Sequence, residues 1–129
     1  MLTDNHYHNG LLLLAYLITA ADGILDDREM KALEKIADHE GIDQEHLQNF
    51  IKYAMALPEK SVYNQGIDEI LMCSDDKKLD AFCWLYRISE VDGKVHVKEV
   101  RFLLYSLRQA GMDLDVVIKE KDKFPSLAG

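Results

Sequence analysis

Two short acidic segments carry the residue types best suited to chemistry in this chain. The first is Ala20-Ala21-Asp22-Gly23-Ile24-Leu25-Asp26-Asp27-Arg28-Glu29, and the second is Glu90-Val91-Asp92-Gly93-Lys94-Val95-His96-Val97-Lys98-Glu99. In each, Glu follows Gly six positions on, and an apolar residue (Leu25 or Val95) follows Gly two positions on. That spacing is shared with the calcium loop of an EF-hand, so Asp22, Asp26, Asp27 and Glu29, with Asp92 and Glu99, are the candidate metal ligands. Oxygen ligands of this kind favour Ca²⁺, Mg²⁺ or Mn²⁺ over zinc. An EF-hand also needs oxygen ligands two and four residues before its Asp. Those places hold Ala20 and Ile18 in one segment and Glu90 and Ile88 in the other, so a true EF-hand is excluded. The other use of these carboxylates is structural, as caps on the backbone N–H groups of the following helix. Asp26 with Glu29 three residues later is a capping-box pattern.

The remaining chemistry is sparse. No Ser/His/Asp or Cys/His set suggests a nucleophile, and no Gly-rich loop suggests a phosphate site. His39-Glu40 and Glu45-His46 are adjacent pairs, not the Glu-x-x-His pairs of a dinuclear centre. Cys73 and Cys83 lie among apolar residues without zinc spacing, and they read as buried free thiols suited to a reducing cytoplasm. His6-Tyr7-His8 reads as part of a mobile N-terminus, and His39 and His46 as surface residues.

The elements that must position these residues are helices. The chain has 129 residues, enough for one domain with a core that needs no disulfide or metal. The longest apolar run, Leu11 to Ala21, is too short for a bilayer and predicts a fully buried helix. Gly10 precedes it and Asp22-Gly23 stops it. Asp26 or Asp27 caps a second helix with a stripe at Met30, Leu33, Ile36 and Ala37. Gly41 stops that helix and Asp43 caps a third, with Leu47, Phe50, Ile51 and Ala54 inward. Pro58 starts a weaker fourth segment, interrupted at Gly66. Ser74 or Asp75 caps a fifth, apolar on most sides, in which Trp84 is expected to form a central buried pair with Tyr16. Val97 to Leu107 mark a sixth, stopped by Gly111, and Asp113 caps a last one through Val116, Val117 and Ile118. The tail over about 122–129 is expected to fray. No alternating strand pattern appears, so the class is all-α, a single-domain bundle of about seven helices over 1–129.

A shift of 70 residues lays the chain on itself. Tyr16 to Gly23 falls over Tyr86 to Gly93, Glu29 over Glu99, Gly41 over Gly111 and Asp43 over Asp113. An internal repeat with copies at about 11–57 and 79–120, related by a pseudo-two-fold, is the expectation.

Charge narrows the partners. Net charge is -8, and it lies in the first half, where residues 1–70 hold 13 Asp+Glu against 5 Lys+Arg. The second half balances at 10 against 10. Such a surface argues against nucleic acid and against an anionic membrane.

The doubled pattern, Ala20-Ala21-Asp22-Gly23-Ile24-Leu25 with Glu29 and Val91-Asp92-Gly93-Lys94-Val95 with Glu99, resembles the TerB family over about residues 11–117. A similar domain opens the DjlA-type J-domain co-chaperones. The resemblance implies a seven-helix bundle linked to tellurite-resistance and stress-response gene clusters. It implies a non-enzymatic binding or scaffold module, with divalent metal at the acidic residues and another protein as partner. The rival readings are a metal-dependent enzyme using the paired carboxylates, and a protein-interaction domain with no metal.

Overall fold

The first helix begins five residues before the apolar run does. Asn5 caps it, its side chain accepting from the backbone N–H of His8 at 3.0 Å. The computed structural model describes residues 3–20, 25–91 and 97–127, with backbone alone at 97–100. Its helices are α1 (His6–Thr19), α2 (Asp27–His39), α3 (Gln44–Met55), α4 (Glu59–Leu71), α5 (Asp75–Ser89), α6 (Val97–Ala110) and α7 (Leu114–Glu120), followed by a 3₁₀ turn over Lys121–Lys123. No strand occurs among the described residues. The chain is a single-domain all-α bundle.

Most helix starts follow from side chains that accept N–H groups the helix cannot satisfy itself. Asp26, Asp43, Ser74 and Asp113 each cap the helix they precede. α2 and α6 end alike. Gly41 and Gly111 take positive φ, 72° and 70°, a conformation that an L side chain disfavours. Behind them Ile42 N–H reaches back to Ala37 C=O at 2.7 Å, and Met112 N–H to Leu107 C=O at 2.9 Å. Near the end of α1 the Thr19 hydroxyl donates to Tyr16 C=O, and near the end of α5 Ser89 donates to Tyr86 C=O. These matches at a 70-residue offset are local. The pseudo-two-fold relation between the halves in space remains an expectation of the sequence.

α1 is the centre of the molecule. Leu11, Leu12, Leu13, Leu14, Ala15, Leu17 and Ile18 are all buried, because α2, α3, α4, α5 and α6 all pack on it. Its tightest crossing is with α4, and two glycines make it. A Cβ on Gly10 would lie 2.6 Å from Ile70 Cγ1, and one on Gly66 would lie 2.8 Å from Leu14 Cδ2. Sequence reading placed Gly10 before the first helix and took Gly66 as an interruption. Both instead lie inside continuous helices, where the missing side chain lets two backbones approach.

Two further expectations are corrected by packing. Trp84 is fully buried, but Tyr16 is not its partner and stays partly exposed on the flank of α1. The rings against Trp84 are His39 and Phe124, at 4.9 and 4.8 Å between centroids. Phe124 belongs to the tail expected to fray. Its carbonyl accepts from Arg87 Nε at 3.2 Å, and Leu127 beyond it is buried in the core. Cys73 and Cys83 are free thiols, but only Cys83 is buried as expected, Cys73 being half-buried; burial pushes the Cys83 thiol up to about 11, away from reactivity.

The two kinds of glycine should respond differently to a methyl group. Gly41→Ala meets open space and should lose about 1–2 kcal/mol through its left-handed φ alone. Gly66→Ala gains about 1 kcal/mol of helix propensity but overpacks a filled crossing at about 1–3 kcal/mol, so a net loss is expected. Leu14→Ala, a core truncation worth about 2–5 kcal/mol, should cost less in the Gly66→Ala background, where it also relieves the clash, than in the Gly41→Ala background. Urea unfolding of the four variants measures this.

Candidate functional site

The first acidic turn leads into α2. Asp26 Oδ1 accepts from Glu29 N–H at 2.8 Å, and Glu29 Oε1 accepts from Asp26 N–H at 3.2 Å. The two residues thus form a capping box, with Asp27 exposed beside them in the first helical turn. Favourable interaction with the helix dipole suits all three carboxylates at this end. Asp22 and Asp92 lie outside the described residues. Glu99 lies in the first turn of α6, with its side chain outside them. Of the six candidate ligands, the structure therefore brings Asp26 and Glu29 together, and it joins them through backbone N–H groups. Among the described residues no group of three or more His, Cys, Asp or Glu side chains is arranged to hold a metal ion.

Two other carboxylates do more than the sequence indicated. Glu40, at the end of α2, accepts through Oε2 from the Tyr7 hydroxyl at 3.1 Å and from Trp84 Nε1 at 2.8 Å. One oxygen thus ties α1, α2 and α5 together. Burial raises the Tyr7 phenol well above its ordinary range, and the negative Glu40 adds to the rise. His8, one residue on, has its pKa lowered by burial, partly opposed by Glu40. Glu69 on α4 is the second hub. It accepts from Asn9 Nδ2 at 2.8 Å and pairs with His6 Nδ1 beside the glycine crossing. The segment His6-Tyr7-His8, expected to be mobile, is thus a fastened first turn. These partners lie 33 to 63 residues apart, so no local spacing announces them.

A concave surface without a carboxylate cluster lies elsewhere, an open groove of about 670 Å³ between α4 and α6. Glu59, Lys60 and Tyr63 line it from α4, and Arg101, Phe102 and Tyr105 from α6. Phe102 meets Tyr63 edge-on at 5.3 Å, and Tyr105 lies tilted against it at 5.7 Å. Tyr105 is 55% exposed. Beyond it on α6, exposed Leu104 borders a smaller depression of about 260 Å³ shared with Tyr86, Leu114 and Ile118. Such a surface stacks and excludes water. Phe102 lies on the apolar stripe of α6, partly buried against the core. The stripe is real, but it is wider than the core it covers.

Glu40→Leu should leave the Tyr7 hydroxyl and the Trp84 N–H buried without an acceptor. A loss of about 1–3 kcal/mol for each group is expected. Glu40→Gln keeps an acceptor oxygen and should lose less. Chemical unfolding followed by the single tryptophan checks both.

Neither the curated proteins nor the solved structures gave a match to this chain. The family model described as tellurite resistance protein TerB matches residues 8–123. That span runs from the first turn of α1 through α7 to the end of the 3₁₀ turn, and so takes in all seven helices, both acidic segments and the aromatic groove. On that match, and on the seven-helix bundle it covers, the chain belongs to the TerB family.

Proposed function

We propose that this protein is a non-enzymatic binding module of the tellurite-resistance kind, which docks another protein through the groove between α4 and α6. The observation that carries the reading is the groove itself, with Tyr63, Phe102 and Tyr105 forming an apolar floor open to solvent. Elsewhere Glu40 and Glu69 serve the fold in tying helices together. Aromatic residues on a concave surface are the usual anchors of protein interfaces. The free cysteines support a cytoplasmic setting, and the net charge of -8 speaks for a protein partner over a nucleic acid. No described helix is long and apolar enough to cross a membrane.

The test uses tellurite tolerance in cells that depend on this protein. Tyr105→Ser should abolish the tolerance while leaving the helical content and melting temperature nearly unchanged, because the residue is mostly exposed. Full tolerance in a folded Tyr105→Ser variant would remove the groove from the function.

Cation binding at the first acidic turn is the second reading, and one observation favours it. Asp27 is exposed beside the capping box and adds its charge to those of Asp26 and Glu29. With Asp22 these residues would bind Ca²⁺, Mg²⁺ or Mn²⁺ weakly, with Kd about 10⁻⁴–10⁻³ M. The melting temperature should rise in millimolar cation, and Asp22→Asn should remove the rise. An unmoved melting temperature in all three cations would eliminate this reading and leave the docking reading standing.

A further inference from the structure

Lys60 rises from the α4 wall of the aromatic groove and Arg101 from the α6 wall. Both are exposed, and neither makes an ion pair among the described residues. Some other basic residues sit against carboxylates: Lys78 against Asp75, Arg87 against Glu90 and Asp122, and Lys121 against Glu90 and Asp122. Glu59 lies at the end of the groove that leads towards Tyr16 and already has an interaction of its own. The groove therefore has an apolar floor with a cation on each wall and Glu59 at one end.

Resting on the docking reading, we infer that the occupant is an acidic amphipathic helix of a partner protein. Its apolar stripe would lie on Tyr63, Phe102 and Tyr105, with carboxylates on its flanks meeting Lys60 and Arg101. The trough between two helices accepts a third by ridges into grooves, and such a helix anchors through side chains at i, i+3, i+4 and i+7. Charge fixes where it goes. The two cations, one on each wall, attract such a helix and set its position across the groove. An aromatic floor alone would accept many helices, and the flanking charges supply selection among them.

The test uses two stapled helical peptides with leucine at the four anchor positions. One carries glutamate on its flanks and the other lysine. Nitrogen-15 NMR of the full chain follows each titration. The glutamate peptide should shift amide signals around Lys60, Tyr63, Arg101 and Tyr105, and bind about tenfold or more tightly than the lysine peptide. In the double variant K60E/R101E, which changes only exposed side chains, the preference should reverse. Equal binding of both peptides in the groove would overturn the acidic occupant while leaving docking intact. Shifts confined to another surface, or a glutamate preference that survives K60E/R101E, would also overturn it. Absence of binding by either peptide, joined to a self-association that K60E/R101E abolishes, would assign the groove to a second copy of this chain instead. Failure of docking itself is read separately, from tellurite tolerance in Tyr105→Ser.

Discussion

The contact on which the bundle depends is the approach of α1 to α4 at Gly10 and Gly66. With no Cβ at either position, the backbones come close enough for Ile70 and Leu14 to fill the space a side chain would take. The separation of these two helices then sets the rest of the packing. α1 can be covered on nearly every face, since α4 leaves room for α3 and α5 to reach it as well. A helix this apolar is unstable in water without such cover, and the cover forms only at that spacing. The polar pair Asn9 and Glu69 lies beside the crossing and fixes its register, since a slip along either helix would leave a buried amide or carboxylate unpaired.

The proposed docking function rests on what the core leaves uncovered. α6 joins the bundle through Leu103, Ser106, Leu107 and Ala110, and turns Leu104 and Tyr105 outwards. Its apolar stripe is therefore shared between the core and a surface. On the docking reading, a helix of this kind would supply a recognition face without a separate loop or lid.

Helix identity was legible in the sequence because helix ends are local. Asp43 and Asp113 lie two residues after a glycine, and Ser74 opens a run of helix formers. Each cap bonds an N–H only two or three residues on. The all-α class and the buried Trp84 followed from spacing in the same way. What the sequence concealed depends on distance along the chain. Gly10 and Gly66 look like helix breaks, since only the partner helix shows why a side chain is missing. Glu40 looks like one acid among many until Tyr7 and Trp84 arrive from other helices. The acidic turns were conspicuous because Asp, Gly and Glu repeat in phase, yet a capping box and a ligand set share that pattern. The groove had no signal at all. Aromatic residues at helical spacing read as core, and only the arrangement of α4 and α6 divides those facing inwards from those facing out.

The C-terminal segment closes over Trp84. Phe124 lies on the indole, Arg87 holds its carbonyl, and Leu127 enters the core. Phe124 and Leu127 follow all seven helices in the chain, so the last face of the central tryptophan is covered only when this segment packs.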